Sequence, residues 1–262
     1  MTGLSTINIE LTSRCNKACW MCGRRKRDLV VTPDYGDMDF PLLEKIASQV
    51  PSGTVVQFHN NGEGLLYPRF GEAVRLFNHC ITGITTNGKL LLEKAADIIL
   101  NLDTIAISVF EDDPEADEQF YLIRKFIELK GNDKPLTVLR LNGKVDDFWY
   151  LPFGVPIARR MLHSPDGSFD YTDKVVIPET GICQDFLLHP AIDRHGNFSI
   201  CVRFDPDGEG VLGNLKTDTL QDLWFSDKRK EWRDYHIGGQ RNMIPLCSKC
   251  HYYGVPNGGG IC

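Results

Sequence analysis

Three closely spaced cysteines near residue 20 have the types and spacing that could bind a metal cluster. Cys15, Cys19 and Cys22 form a C-x3-C-x2-C arrangement. Three thiolates at this spacing can hold three irons of a cubane cluster and leave the fourth iron without a protein ligand, so that it can bind and activate a small molecule. The same residues are compatible with a zinc site or with three unrelated thiols, and the rest of the chain must decide between these interpretations.

The composition of the chain narrows the class of protein. Its 262 residues are 42% hydrophobic and 24% charged, which is typical of a globular protein with one large domain or one medium and one small domain. We expect a soluble cytoplasmic protein, since no signal peptide or membrane-spanning apolar run is apparent. Thiols are kept reduced in that compartment, so nine cysteines, eight of them gathered toward the two ends of the chain, indicate metal sites. A formal charge of −6 argues against a nucleic-acid-binding protein.

The hydrophobic pattern predicts strands that alternate with amphipathic helices. Such alternation is typical of βα units with a parallel sheet covered by helices. Residues 142–156 leave little room for a full helix, so we expect a shortened last crossover. The predicted fold class is α/β, an incomplete (β/α)6-type TIM-like barrel over residues 1–167. The predicted strands are residues 7–12, 54–58, 81–86, 104–110, 136–141 and 157–163.

In barrels of this kind the reactive groups lie at the C-terminal ends of the strands. The cysteine loop follows the first predicted strand, Gly62-Glu63 follows the second, and Ser108 lies late in the fourth. Taken singly, a Gly-Glu pair is often only a turn, and a serine near a strand end is often only a polar rim residue. Their placement behind the cysteine loop favours a shared binding site.

These motifs together resemble the radical S-adenosylmethionine enzymes. The resemblance implies that the cofactor binds the open iron, that Gly62 and Glu63 hold its ammonium, and that Met21 contacts its adenine mainly through the backbone. It also implies that Ser108 and Asn142 contact the ribose or the carboxylate. Only half of the family's Gly-Gly-Glu motif is intact, because residues 61 and 64 differ from the usual first Gly and following Pro.

Two charged runs each have a structural and a functional interpretation. Residues 24–27, Arg-Arg-Lys-Arg, form either a solvated turn or a surface that attracts an acidic electron donor or an anionic substrate. The acidic residues between 111 and 118 suggest a cation site, but they also open a predicted helix, where negative charge is favourable. We predict no metal there, and we expect Cys80 to be a small buried side chain.

A second group of cysteines follows the predicted barrel. Four thiolates give a closed coordination shell that suits a zinc ribbon as well as an iron–sulfur cluster. The G-x4-C spacing, a Gly-Asn-Leu turn, a helix containing Trp224 and the late C-x2-C resemble the twitch domain, the short form of the SPASM domain. This resemblance implies one auxiliary [4Fe–4S] cluster in residues 168–262, and so two [4Fe–4S] clusters and S-adenosylmethionine in total. The four ligands that the resemblance implies are Cys183, Cys201, Cys247 and Cys250.

The resemblance implies an oxidoreductase that removes hydrogen from a substrate carbon. Compact, alcohol-oxidising members of the family are the most similar, but an arginine that serves their substrate is replaced near residues 163–165. Arg159 and His163 are therefore the candidate catalytic residues. We expect a flavodoxin- or ferredoxin-like electron donor. Since we expect no peptide-binding domain before the barrel, we also expect a small polar substrate or a short, directly bound peptide.

Other functions are compatible with the same motifs. Within the class they are a radical epimerase and a peptide-modifying enzyme, and outside it a two-cluster electron-transfer protein and a zinc-ribbon binding module. Cys262 follows a flexible Gly-rich run, and it is either a hydrogen donor, a ligand to the auxiliary cluster or a terminal residue without a role. We expect no role, and therefore a two-electron oxidation.

The metal content tests both cysteine groups. If each group holds a cubane, the anaerobically reconstituted protein should contain about eight irons per chain. Replacing Cys15, Cys19 and Cys22 together should leave about half of them, because the second group is independent of the first. Metal analysis of both proteins is the measurement, and stoichiometric zinc without iron in the triple variant would contradict the second cluster.

Overall fold

The structure, a computed structural model, describes residues 1, 3–28, 32–160, 162, 182–202 and 205–250. Its strands form one nine-stranded sheet in the order β6-β5-β4-β3-β2-β1-β7-β8-β9. All pairs from β6 to β7 are parallel, whereas β7-β8 and β8-β9 are antiparallel. The strands are β1 (Thr6–Ile9), β2 (Val55–Phe58), β3 (Ile81–Thr86), β4 (Thr104–Phe110), β5 (Leu136–Asn142), β6 (Ile157–Arg160), β7 (Ala191–Ile192), β8 (Asn197–Ser199) and β9 (Val211–Asn214).

Helices follow the parallel strands and cover one face of the sheet. In the helix Phe40–Ala47, Pro41 lies in the opening turn, and the fully buried Leu43 and Ile46 are three residues apart on one side. The described helices are α1 (Gly23–Asp28), α2 (Phe40–Ala47), α3 (Phe70–Arg75), α4 (Ala95–Asn101), α5 (Ala116–Lys130), α6 (Gln184–Leu188), α7 (Leu220–Trp224), α8 (Asp227–Ile237) and α9 (Pro245–Ser248).

The main core lies between these helices and one face of the sheet. Alternate strand residues such as Ile105, Ile107 and Val109 are buried in it, as period-two patterning requires. Phe58 packs edge-to-face against Phe77, with ring centroids 5.5 Å apart. The opposite residues of each strand therefore form a second face, which carries more polar side chains. No helix in the described part of the chain is packed into a core on this side, and we call it the helix-free face.

The predicted α/β partial barrel is confirmed, with one local difference. The first strand ends at Ile9 rather than at residue 12, because Leu11 and Thr12 pair instead with the segment before α2. The Met38 N–H donates to the Leu11 carbonyl at 2.8 Å, and Thr12 forms a bridge with Asp37. Part of the last predicted strand, including residue 163, lies outside the described residues. The shortened last crossover is present as two short 3-10 helices at Asp147–Trp149 and Leu151–Phe153.

The C-terminal part of the chain extends the barrel sheet. Strand β7 pairs in parallel with β1, where Asn8 lies opposite Ala191 and Ile9 opposite Ile192. A second, smaller core forms from Phe186, Ile200, Trp232, Ile244 and Leu246. The predicted boundary at residues 167 and 168 lies outside the described residues, so this division stays a prediction. No helix in the described part of the chain is long and apolar enough to cross a membrane.

Candidate active site

The cysteine loop leaves the C-terminal end of β1 and keeps its three thiols half-buried and close together. Burial raises the pKa of the Cys19 thiol to about 12, opposed by Lys17 and assisted by the neighbouring thiols of Cys22 and Cys15. A thiolate at Cys19 therefore needs a bound cation, which fits a metal ligand. In the described ranges no three His, Cys, Asp or Glu side chains converge on a single metal ion. Thiolates that each bind a different iron of a cubane lie farther apart than the ligands of one ion.

The Gly62-Glu63 turn after β2 docks on the backbone that leads into this loop. A Cβ atom on Gly62 would lie 2.0 Å from the carbonyl oxygen of Thr12, so only glycine fits this contact. The Glu63 N–H donates to the Arg14 carbonyl at 2.8 Å. The turn is thus held one residue away from Cys15, which brings the ends of β1 and β2 together.

The Glu63 carboxylate is buried and oriented by neutral donors. It accepts hydrogen bonds from the Thr86 hydroxyl at 2.8 Å, the Asn87 N–H at 2.7 Å and the Leu65 N–H at 3.2 Å. Burial raises the pKa of Glu63, and these hydrogen bonds oppose the rise. Among the described residues no cation pairs with this carboxylate, which fits a site for the ammonium group of a ligand.

The end of β3 contacts the cysteine loop directly. The Asn87 side-chain amide donates to the Asn16 side-chain oxygen at 2.9 Å and lies 3.7 Å from the Cys15 sulfur. The same residue donates its backbone N–H to Glu63. Asn87 therefore links the first predicted ligand of the metal to the carboxylate, as expected if the ends of β1, β2 and β3 form one site.

A buried ion pair fixes the other side of the cysteine loop. Lys17 pairs with Asp113, and their side chains are only 4% and 3% exposed. Glu115 lies 3.7 Å from Lys17 and 2.6 Å from Lys89. Part of the acidic run at residues 111–118 thus has a further role that the sequence did not indicate, since it holds the loop between Cys15 and Cys19 against the segment after β4.

The remaining predicted cofactor residues lie on or beside the helix-free face. Met21 is buried and lines a cavity of about 300 Å³ together with Trp20, Phe110 and Asp113. Ser108 is buried, and its carbonyl accepts a hydrogen bond from the Gln119 amide at 2.9 Å. Asn142 is half-buried, and its amide donates to the Val109 carbonyl at 3.0 Å and to the Arg140 carbonyl at 2.8 Å.

Arg140 is a site residue that the sequence analysis missed. It lies opposite Ser108 in the β4-β5 register, and its guanidinium donates to the Thr85 hydroxyl on β3 at 3.2 Å. Burial lowers its pKa to about 10, with a further contribution from nearby Arg160, so it stays charged at neutral pH. The only available signal was the alternation of β5, which places Arg140 on the same face as Asn142.

The two candidate catalytic residues differ in how far the structure describes them. Arg159 lies on β6 with a side chain that is 58% exposed, and it forms an ion pair with Asp147. The side chain of the neighbouring Arg160 lies on the opposite face of the sheet from that of Arg159. His163 and Cys262 lie outside the described residues, so neither is placed. The catalytic role of Arg159 or His163 stays a prediction.

The second cysteine group surrounds the smaller core. Cys183 precedes α6, Cys201 follows β8, and Cys247 and Cys250 lie in and after α9. Burial raises the pKa of the Cys247 thiol to about 12, and Cys250 and Cys183 add to this, as thiols close to one another do. The Arg241 guanidinium donates to the carbonyls of Cys247 and Cys250 and so fixes the C-x2-C turn.

His236 is a second neighbour of this group that the sequence did not indicate. Its side chain is fully buried, and its Nε2 atom lies 3.7 Å from the Cys247 sulfur. Burial, assisted by Arg241, lowers its pKa to about 4, so the imidazole is neutral at physiological pH. His236 therefore adds a polar neighbour but no charge to the thiols.

The Lys17–Asp113 pair predicts a large stability effect. Lys17→Met should lower the free energy of unfolding by about 3–5 kcal/mol, because it leaves the buried Asp113 carboxylate without its partner. The Lys17→Met/Asp113→Leu double variant should lose less. Anaerobic urea unfolding of the metal-free chain is the measurement. Lys125→Met, which removes an exposed cation 2.7 Å from Glu128 on α5, is the control, and an equal loss in that variant would contradict the prediction.

Comparison with known proteins connects these features to known chemistry. The family SPASM, described as an iron-sulfur cluster-binding domain, matches residues 183–251, which contain all four cysteines of the second group. An S-adenosyl-L-methionine-dependent 2-deoxy-scyllo-inosamine dehydrogenase from Niallia circulans is 25% identical to the chain, covering 96% of this chain and 94% of that protein. The similarity therefore includes the barrel as well as the C-terminal domain.

Solved structures share the fold across the whole chain. BtrN in complex with AdoMet and 2-DOIA is similar with a TM-score of 0.69 and 20% identity, covering 95% of this chain and 93% of that one. SuiB from Streptococcus suis, solved with the precursor peptide SuiA, has a TM-score of 0.67 and 13% identity, covering 96% of this chain and 70% of that one. With the SPASM match and the cysteine loop, these similarities support a radical S-adenosylmethionine enzyme with a C-terminal SPASM-type iron–sulfur domain.

Proposed function

We propose that the chain oxidises a small polar substrate by two electrons in a reaction that consumes S-adenosylmethionine. The observation that carries this proposal is the buried Glu63 carboxylate, which pairs with no cation among the described residues and is docked on the start of the three-cysteine loop. When bound, the two clusters and S-adenosylmethionine supply one-electron reduction, hydrogen-atom abstraction from an unactivated carbon and acceptance of the electron left on the substrate. The chain supplies the ligands, the orientation and the exclusion of water.

The charges on the site complement an amino-acid ligand. Glu63 would hold the cofactor's ammonium through a charge-assisted hydrogen bond. Arg140 reaches from β5 to Thr85 on β3 and lies beside Ser108, so these residues would bind the cofactor's carboxylate. Both partners reach β3 near its C-terminal end, since Glu63 accepts a hydrogen bond from Thr86 and Arg140 donates one to Thr85.

Other groups would hold the rest of the cofactor and the clusters. The cavity beside Met21 would receive the adenine, and Asn142 would contact the ribose from the end of β5. Cys15, Cys19 and Cys22 would bind three irons of the first cluster. The SPASM-type domain would bind one auxiliary [4Fe–4S] cluster through its four cysteines, Cys183, Cys201, Cys247 and Cys250.

The similarity supports a small molecule as the substrate. The relative that matches nearly the full chain is named as a dehydrogenase of a small molecule, 2-deoxy-scyllo-inosamine, whereas this chain covers only 70% of SuiB, the protein solved with a precursor peptide. A short, directly bound peptide is the second candidate.

We further propose a cytoplasmic protein with a flavodoxin- or ferredoxin-like electron donor, whose acidic surface would suit the basic residues 24–27.

The role of Glu63 predicts a specific binding defect. Glu63→Ala should weaken S-adenosylmethionine binding while both clusters remain, because the variant lacks the anionic partner of the ammonium. Loss of such a hydrogen bond costs about 1.5–3 kcal/mol, roughly tenfold to a hundredfold in affinity. Equilibrium binding to the reconstituted enzyme is the measurement, with iron content as the check on the clusters. Glu128→Ala, which removes an exposed carboxylate on α5, is the control. Unchanged affinity in Glu63→Ala would make Gly62-Glu63 an ordinary turn.

The fate of the substrate tests the reaction itself. The enzyme is incubated anaerobically with reductant, S-adenosylmethionine and cell extract. For each molecule of 5′-deoxyadenosine formed, one molecule of a metabolite should lose two hydrogen atoms. Cys250→Ala should still cleave the cofactor but should release little oxidised product, and Cys262→Ala should turn over normally. Mass spectrometry is the measurement. A product of unchanged mass that gains one deuterium in heavy water and disappears in Cys262→Ala would identify an epimerase instead.

A further inference from the structure

Two arginines share the helix-free face of the barrel sheet. In the β5-β6 register Arg140 lies opposite Ala158 and Asn142 opposite Arg160, so both arginines project to the side that also carries Ser108. The electrostatic effect of Arg160 on the pKa of Arg140 agrees with their proximity. The face therefore carries two adjacent guanidinium groups at its β5-β6 side.

These two cations have no anionic partner among the described residues. The guanidinium of Arg140 has the neutral Thr85 hydroxyl as its side-chain partner, and the Nε atom of Arg160 is buried without any hydrogen-bond partner. Arg159, one residue earlier, instead points to the other side and pairs with Asp147. Two like charges held together away from water are unfavourable unless an anion compensates them.

The cofactor's carboxylate can compensate only one of the two. Glu63 follows β2, and strands β3, β4 and β5 lie between β2 and β6. At ~4.8 Å per strand, β6 is roughly 19 Å from β2 along the sheet, much farther than the separation of ammonium and carboxylate in one amino acid. Arg140 bridges this gap by its hydrogen bond to Thr85 on β3, whereas the buried Nε atom of Arg160 has no hydrogen-bond partner among the described residues.

We propose that the substrate carries an anionic group, a carboxylate or a phosphate, that binds Arg160 beside Arg140. This proposal rests on the proposed function, because it assigns Arg140 to the cofactor and leaves Arg160 for the substrate. The planar fork of a guanidinium suits either oxyanion by two parallel hydrogen bonds. A substrate bound at Arg160 by its anionic group would extend from β6 toward the open end of the partial barrel, where the reacting carbon must lie.

Direct binding of a simple anion tests the site without any turnover. Inorganic phosphate is titrated calorimetrically into the reconstituted enzyme saturated with S-adenosylmethionine, at constant ionic strength. Arg160→Gln should weaken phosphate binding by about tenfold or more and leave the affinity for S-adenosylmethionine unchanged, while Arg160→Lys should retain part of the phosphate affinity. Arg124→Gln, an exposed substitution on α5, should change neither. Arg140→Gln should weaken the binding of S-adenosylmethionine.

Two results of this titration would overturn the proposal. One is phosphate binding that Arg160→Gln leaves unchanged. The other is phosphate binding that occurs only without S-adenosylmethionine and is displaced by it, since the anion would then occupy the position of the cofactor's carboxylate. Because the titration needs only binding, it decides the anion site even if the enzyme proves not to oxidise any metabolite.

Separation of the extract by charge tests the substrate class. The metabolite that becomes two hydrogens lighter should be in the fraction that an anion exchanger retains. A changing metabolite found only in the cation-exchange fraction would overturn the proposal while leaving the oxidation intact. Absence of 5′-deoxyadenosine from every fraction would contradict the proposed function, and the phosphate titration would then decide the anion site alone.

Discussion

A Cβ atom on Gly62 would lie 2.0 Å from the carbonyl oxygen of Thr12, so the turn after β2 touches the segment before the cysteine loop with no side chain between them. The adjacent N–H of Glu63 continues this contact to the carbonyl of Arg14. Two further hydrogen bonds, from Thr86 and Asn87, then fix the carboxylate against the end of β3. Three strand ends therefore meet at one carboxylate, and the position of the cysteine loop depends on a glycine that has no chemistry of its own.

The charges around this contact are arranged by strand. The negative group, Glu63, lies beside β2 and β3, and the positive groups, Arg140 and Arg160, lie on β5 and β6. Lys17 and Asp113, a buried pair that neutralises itself, lie at the cysteine loop and hold it in place. This structural pair is thus neutralised within the protein, whereas we propose that the charges of Glu63, Arg140 and Arg160 are compensated by ligands. This separation is the physical basis for distinguishing the two kinds of residue.

The features that the sequence could predict are those encoded in local spacing. The C-x3-C-x2-C loop, the period-two strands and the Gly62-Glu63 turn all follow from residues within a few positions of one another. Strand β7 was missed because it has only two residues, and its pairing with β1 joins segments about 180 positions apart in the chain. Lys17 and Asp113 were not matched for the same reason, since nothing local marks a contact between two loops. The partners of Arg140 depend on the register of neighbouring strands, which a single strand pattern does not contain.

The link between β1 and β7 determines how the two cysteine groups are positioned. Asn8 donates its backbone N–H to the Pro190 carbonyl at 2.9 Å, and Glu10 donates its own to the Ile192 carbonyl at 2.9 Å. The Glu10 carboxylate also accepts from the Asn61 N–H at 3.1 Å, directly before the Gly62 contact. The strand that leads into the first cysteine group therefore pairs with the strand that begins the antiparallel extension, after which Cys201 follows. Because burial excludes water from these hydrogen bonds, breaking them to move one group relative to the other would leave polar backbone atoms unsatisfied. The shared sheet thus makes the separation of the two cysteine groups a property of the fold itself.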